Sequence, residues 1–156
     1  MARGALPGII LVDTSVWVDF LNGAPGPHVS ALESYLSKGA DLCICGIILT
    51  EVLQGIRSDK EYAKTKSSLD ALLFLPMRYS TSVEAAGIYR SLRRKGITIR
   101  KPIDCLIAAI AIEHGAALLH NDRDFDPIAK HCGLKTAALP PNATAPSWRR
   151  PKPKNP

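Results

Sequence analysis

Hydrophobic positions along the chain follow two alternating patterns. Short continuous apolar runs are separated by longer stretches in which apolar residues return every three or four positions. The first run, residues 8–12, is rich in β-branched side chains and stops at Asp13, which suits a strand buried on both faces. Thr14 or Ser15 stands where a cap is needed for a short helix carrying Trp17, Phe20 and Leu21. Residues 22–27 (NGAPGP) break that helix. Val29, Leu32, Tyr35 and Leu36 are spaced for a second helix, which Lys38 and Gly39 close. Residues 41–45 read as a second strand. Gly46 opens a helix with Ile48, Val52 and Leu53 that ends near Gly55. A further helix is expected over 60–72 through Tyr62, Lys66 and Leu69, then a brief strand or extended connection over 73–76. Residues 80–95 are helical, with Val83, Ala86, Ile88 and Leu92 as apolar positions, Thr81 or Ser82 as cap, and Gly96 as terminator.

The most strongly written helix spans 102–114. Pro102 suits its first turn, and Ile103, Leu106, Ile107, Ala109, Ile110 and Ile112 leave almost no polar face, so it is expected at the centre of the molecule. Gly115 ends it. A strand over 116–119, a short helix over 125–131 and a last strand over 134–139 complete the pattern. Short apolar strands alternating with amphipathic helices predict an α/β domain with a mainly parallel sheet. Sheets of that kind place their working sites beyond the carboxyl ends of the strands.

Composition narrows the class. With 156 residues the chain is sized for one domain, and 46% apolar with 22% charged residues excludes a disordered or collagen-like protein. The longest strongly apolar stretch, 105–112, is far below the ~20 residues needed to span a bilayer. The amino-terminal run contains Pro7 and Gly8 and lacks a small-residue cleavage site, so a cytoplasmic protein is expected. Cys43 and Cys45 lie two apart in an apolar run and read as small core residues rather than zinc ligands. The net charge of +6 is uneven. Residues 140–156 hold Arg149, Arg150, Lys152 and Lys154, no acid and six of the twelve prolines, and read as a basic, extended tail after a domain over 1–139. A second basic cluster comprises Arg90, Arg93, Arg94, Lys95, Arg100 and Lys101. Both clusters suit either solubility or contact with a polyanion.

The carboxylates carry the chemistry. Asp13 follows the first strand, Glu51 lies in the helix after the second, Asp104 sits in the first turn of the buried helix, and Asp122 and Asp124 follow the strand over 116–119. In a parallel sheet, strand ends and the first turns of the following helices share one edge. Acids gathered there repel one another unless a cation or protons neutralise them. Each also has a local explanation: Asp104 as a helix-dipole partner, Asp122 and Asp124 as turn and cap residues. All-oxygen ligands favour Mg²⁺ or Mn²⁺, and His28, His114 and His131 are not placed as zinc ligands. A metal-filled acidic pocket flanked by Lys and Arg is what phosphodiester hydrolysis needs.

Four segments then resemble one family in order. VDTSVWVDFL over 12–21 is similar to the opening motif of PIN-domain proteins, and especially of VapC-type toxins. LTEVLQG over 49–55 resembles their second motif with Glu51 as its acid. PIDCLIAAIA over 102–111 resembles the third with Asp104, and LLHNDRDF over 118–125 the fourth, with Asp122 as the main acid and Asp124 as auxiliary. The resemblance implies a three-layer α/β/α fold with four or five parallel strands, and Mg²⁺- or Mn²⁺-dependent ribonuclease activity. It also implies homodimerisation and inhibition by a small cognate antitoxin of the VapB type. Asp13, Glu51, Asp104 and Asp122 would hold the metal, leaving a 5′-phosphate and a 3′-hydroxyl on the products. Thr14, Ser15, His120 and Asn121 are candidates to orient a ligand. Arg90, Arg93, Arg94, Arg100 and Lys101 are candidates to hold RNA. Two features depart from the family: His120 stands where Thr or Ser is common, and the Pro-rich tail is an addition.

Two other functions fit parts of the pattern. A small Mg²⁺-dependent phosphatase-like enzyme also uses an Asp after the first strand, but the haloacid type needs Asp-x-Asp-x-Thr there and this chain has DTSVW at 13–17. A non-catalytic nucleic-acid-binding module would tolerate loss of the acids, and all four are present.

Overall fold

The computed structural model describes residues 8–139; the tail expected over 140–156 lies outside them. Four strands, β1 (Ile10–Val12), β2 (Leu42–Cys45), β3 (Leu73–Leu75) and β4 (Ala117–Leu119), form one parallel sheet in the order β3-β2-β1-β4. Seven α-helices occur among the described residues: α1 (Thr14–Leu21), α2 (Pro27–Ser37), α3 (Gly46–Gln54), α4 (Asp59–Asp70), α5 (Tyr79–Arg94), α6 (Pro102–Glu113) and α7 (Asp126–Cys132). A single 3₁₀ turn, Arg123–Phe125, precedes α7.

Strand order and handedness divide the helices. The chain steps from β1 to β2 to β3 in one direction, then returns past β1 to place β4 on the other side. Right-handed crossovers therefore put α1–α4 on one face and α5–α6 on the opposite one. The packing agrees: α1 lies against α2 and α3, and α3 against α4, while α5 lies against α6 and α7. The result is a three-layer α/β/α sandwich. β1 sits between β2 and β4, and its three residues, like the four of β2, are buried, which accounts for the unbroken apolar runs.

The core spreads through both helix layers. Ile10, Leu11, Ile48, Leu92, Ile107, Ile110, Leu118 and Phe125 are among its fully buried side chains. Residues Cys105 and Ile107 to Ala111 of α6 are all buried, as its apolar sequence requires. Gly115 (φ +65°) ends α6 in a left-handed turn that favours glycine, and the chain enters β4 two residues later. Trp17 of α1 and Tyr35 of α2 are core residues, and the Tyr35 hydroxyl donates to Ala138 O at 2.8 Å.

Three expectations shift. The strand over 134–139 reduces to one parallel bridge, Leu118 to Thr136, because β4 is only three residues long and the Ala138 carbonyl is taken by Tyr35. In α5 the buried stripe is Thr81, Ala85, Ile88 and Leu92, so Val83 and Ala86 point outward. The stripe turns because the helix begins at Tyr79 and Thr81 faces inward. Its hydroxyl accepts from Arg78 N at 2.9 Å and donates to Glu113 Oε2 at 2.8 Å, fastening α5 to α6. The cap of α1 is Asp13 itself, ahead of Thr14 and Ser15.

The two faces of α5 should differ in mutational cost. Ile88→Ala should destabilise the protein by ~2–5 kcal/mol in urea unfolding, whereas Val83→Ala should fall within ~0.5 kcal/mol of the parent. Equal costs at the two positions would place the wrong face of α5 inward.

Candidate functional site

The topological switch fixes where a site can form. β1 and β4 are neighbours whose following segments leave toward opposite faces of the sheet, which opens a crevice beyond their carboxyl ends. Asp13 N donates to Leu119 O at 2.9 Å, so the two strand ends are locked together where the first and fourth acidic segments begin. A cleft of about 400 Å³ lies there, lined by Asp13, Thr14, Ser15, Asp19, Glu51, Lys101, Asp104, Asn121 and Asp122, with Val18 at its apolar side.

Each acid is held by a different local device. Asp13 caps α1: its Oδ2 accepts from Ser15 N at 3.1 Å and from Ser15 Oγ at 2.6 Å. The same hydroxyl oxygen accepts from Asn121 N at 3.0 Å, so Ser15 ties the end of β1 to the loop after β4. Thr14 Oγ1 donates to Glu51 Oε1 at 3.1 Å, bringing α3 to the cleft. Asp122 caps the 3₁₀ turn, accepting from Asp124 N at 2.9 Å, and its own N–H donates to His120 Nδ1 at 3.2 Å. Burial lowers the His120 pKa, and its ring leans on Phe125. Its Nδ1 is an acceptor here and takes up a backbone donor of the loop after β4.

Asp104 is different. It stands in the first turn of the largely apolar α6, is 5% exposed, and its Oδ2 is buried with no hydrogen-bond partner. Burial lifts its pKa from 3.8 to about 7; Lys101 opposes the rise, and the neighbouring Asp122, Asp13 and Asp124 add to it. Asp122 goes the other way. Burial pushes it up, but hydrogen bonds from Lys101 and from Asp124 N outweigh that and leave it below its ordinary value. Oxygens of Asp104, Asp122 and Asp124 lie within 4.8 Å of one another, and Asp124 Oδ2 is also buried without a partner. Two orphaned carboxylate oxygens in an all-oxygen set fit a hard divalent cation. Asp13 and Glu51 line the same cleft outside this compact trio.

The cations separate into two groups. Lys101 Nζ donates to Asp122 Oδ2 at 2.8 Å and lies 4.0 Å from Asp104 Oδ2, while Arg100 donates to Asp124 Oδ1 at 3.2 Å. Arg90, Arg93 and Arg94 lie on α5 away from the cleft lining, Arg93 with its guanidinium 5.7 Å from the Tyr89 ring centre. The cleft wall also holds Asp19, which the sequence pattern by itself does not single out. Its carboxylate lies in the cleft wall, where His28 Nε2 meets Oδ2 at 2.7 Å and Asn121 Nδ2 donates at 3.5 Å. The His28 ring packs so closely on Gly26 that a Cβ there would come within 2.6 Å of it. The signal was present in the spacing: Ser15 and Asp19 are four apart, hence on one helix face, once Val16 and Trp17 are assigned to the core.

Comparison with known proteins agrees with this geometry. Residues 10–131 match the PIN domain. The chain is 37% identical over 133 residues to ribonuclease VapC11 of Mycobacterium tuberculosis, covering 84% of this chain and 99% of that one. It is 31% identical over 134 residues to ribonuclease VapC51 of the same organism, covering 86% and 95%. The fold is similar to that in the crystal structure of VapBC2 from Rickettsia felis bound to a DNA fragment from their promoter, with a TM-score of 0.66 at 22% identity, over 83% of this chain and 97% of that one. This chain therefore belongs to the PIN-domain family, and within it to the VapC ribonucleases.

Asp104 makes stability depend on pH in the absence of metal. The folded protein retains its proton up to about pH 7, while an unfolded chain releases it near the ordinary 3.8, so folding takes up a proton between those values. In EDTA, this group should make stability to urea fall as pH rises from 4 to 7. Asp104→Asn should remove that part of the slope and be more stable than the parent by ~1–3 kcal/mol at pH 7.5. A destabilised variant at that pH would show that the carboxylate's helix-end interaction outweighs its burial.

Proposed function

We propose that this protein is a divalent-metal-dependent endoribonuclease acting as the toxin of a toxin–antitoxin pair. The observation that carries the reading is Asp104: a buried carboxylate with an orphaned oxygen, facing Asp122 and Asp124 at the head of a cleft with cations at its mouth. The names of the relatives, ribonucleases VapC11 and VapC51, support the activity. Mg²⁺ or Mn²⁺ held by Asp104, Asp122 and Asp124, with Asp13 and Glu51 at the same cleft, would supply an activated water and stabilise the leaving oxygen.

The chain's own residues prepare that chemistry. Ser15 holds Asp13, and Thr14 holds Glu51, so neither acid must reorganise as substrate arrives. Arg100 and Lys101, paired with Asp124 and Asp122, are the cations beside the acids that would contact phosphates flanking the scissile bond. Arg90, Arg93 and Arg94 reach only RNA that continues along α5. In-line attack at phosphorus with departure of the 3′-oxygen leaves a 5′-phosphate and a 3′-hydroxyl.

The partners follow from the exposed apolar side chains. Val18 and Leu21 of α1 and Leu36 of α2 are each at least 40% exposed, and Val18 also lines the cleft. They suit the apolar face of a VapB-type antitoxin helix that would send an Arg toward the acids. VapBC2 from Rickettsia felis, similar in fold, is itself described as bound to a promoter DNA fragment. A second set, Leu73, Phe74, Met77, Tyr79 and Val83, lies on edge strand β3, the connection after it and the start of α5, and suits a second copy in a homodimer. Among the described residues no helix is long and apolar enough to cross a membrane. The cytoplasm, where RNA and antitoxin are met, is the proposed location.

Purified protein should cut single-stranded RNA with Mg²⁺ or Mn²⁺ and stop in EDTA, with 5′-phosphate ends mapped by ligation sequencing. Asp13→Asn should lower the rate by on the order of a hundredfold with its circular dichroism unchanged. Undiminished cleavage in EDTA would sink the metal mechanism. Expression without antitoxin should arrest growth, and equal arrest by the Asp13→Asn variant would separate toxicity from the nuclease.

A further inference from the structure

Lys101 stands in an unusual place. It is the N-cap residue of α6, three positions before Asp104, and its backbone carbonyl accepts from Asp104 N at 3.0 Å. Its side chain turns back over the same helix end into the acidic cluster. Nζ donates to Asp122 Oδ2 at 2.8 Å and lies 4.0 Å from the orphaned Asp104 Oδ2. The adjacent Arg100 engages the third member of the trio through Asp124 Oδ1 at 3.2 Å. Two consecutive cations thus neutralise three acids whose oxygens crowd within 4.8 Å.

We propose that Lys101 is a resident counter-ion that competes with the metal for the Asp104–Asp122 end of the cluster, and that its displacement supplies the cation that receives the RNA phosphate. This inference rests on the metal reading above. The physical case has three parts. An ammonium and a divalent cation sharing the same carboxylate oxygens repel each other, since like charges a few ångströms apart in a half-buried cleft interact strongly. Asp122 Oδ2 cannot donate its full charge to a cation while it accepts from Lys101 at 2.8 Å. The lysine arm is long, 57% exposed along its length and rooted at the rim of the cleft, so it can leave the cluster without disturbing α6. Released, it carries its charge to the mouth of the same cleft, where a phosphate would lie.

The consequence is a coupling. In the metal-free protein Lys101 stabilises the acids, and binding of metal must break that contact. A lock closed nine-tenths of the time weakens apparent metal affinity about tenfold. Removing the lysine should therefore tighten metal binding, opposite to what a lysine that helps assemble the site would do. Because the freed arm then meets the polyanion, metal and RNA favour each other's binding through one side chain.

The test uses the full-length chain with Mn²⁺ as the probe. Isothermal titration calorimetry on the parent, Lys101→Met and Lys101→Arg should give Mn²⁺ affinity about tenfold tighter for Lys101→Met, with Lys101→Arg close to the parent. Thermal melting should show Lys101→Met less stable than the parent in EDTA and the gap closing in saturating Mn²⁺. Unchanged or weaker Mn²⁺ binding by Lys101→Met overturns the inference while leaving the metal site standing. So does a stability loss of equal size in EDTA and in Mn²⁺, which marks an ordinary surface contact. Absence of Mn²⁺ binding by the parent overturns the metal reading, and this inference with it.

Discussion

Negative charge is concentrated where β1 and β4 end, and the rest of the structure answers to that concentration. Asp104, Asp122 and Asp124 place oxygens within 4.8 Å of one another, with Asp13 near enough to raise the Asp104 pKa. Repulsion at that range in a half-buried cleft opposes folding. The fold opposes it with fixed donors: Ser15 on Asp13, Thr14 on Glu51, backbone Asp124 on Asp122, and Lys101 and Arg100 on the trio. What is left without a hydrogen bond is Asp104 Oδ2, in the first turn of α6, and Asp124 Oδ2. The proposed cation site rests on those two unsatisfied oxygens.

The scaffold can bear this strain because its rigid parts meet there. β1 is buried between two parallel neighbours, and α6 is buried along most of its length. Both carry an acid at the end that reaches the crevice. Helix starts favour carboxylates through the dipole, so capping and cation binding draw on the same geometry. The two explanations of Asp13 and Asp122 are therefore not rivals: each caps a helical turn and also presents charge to the cleft. Asp104 is not a cap: it lies in the first turn of α6, where the dipole favours a carboxylate, while the N-cap is Lys101 and makes no side-chain capping bond.

Much of the fold was legible along the chain. Unbroken β-branched runs required strands buried on both faces, and the seven helical stretches appear close to where their periodicity placed them. The acids Asp13, Glu51, Asp104, Asp122 and Asp124 could be picked out because each sits at a predicted strand end or early helical turn, and topology alone brings such positions to one edge. The basic cluster was legible only as composition. Sorting it into Lys101 in the cleft lining, Arg100 on Asp124, and Arg90, Arg93 and Arg94 on α5 outside the lining required the tertiary structure.

Local sequence thus determined the periodicities, the breaks at Gly96 and Gly115, and the kinds of residue that end each element, because these depend on neighbours within a turn or two. Tertiary structure decided what depends on distant segments. It turned Val83 outward through the Thr81–Glu113 bond, and shortened the last strand to one bridge as Tyr35 took the Ala138 carbonyl. It also joined Asp19 to His28 in the cleft wall and set Lys101 among the acids. Hydrogen bonds and charges act through space over a few ångströms, so their partners are fixed only when the sheet brings residues as distant in sequence as 15 and 121 together.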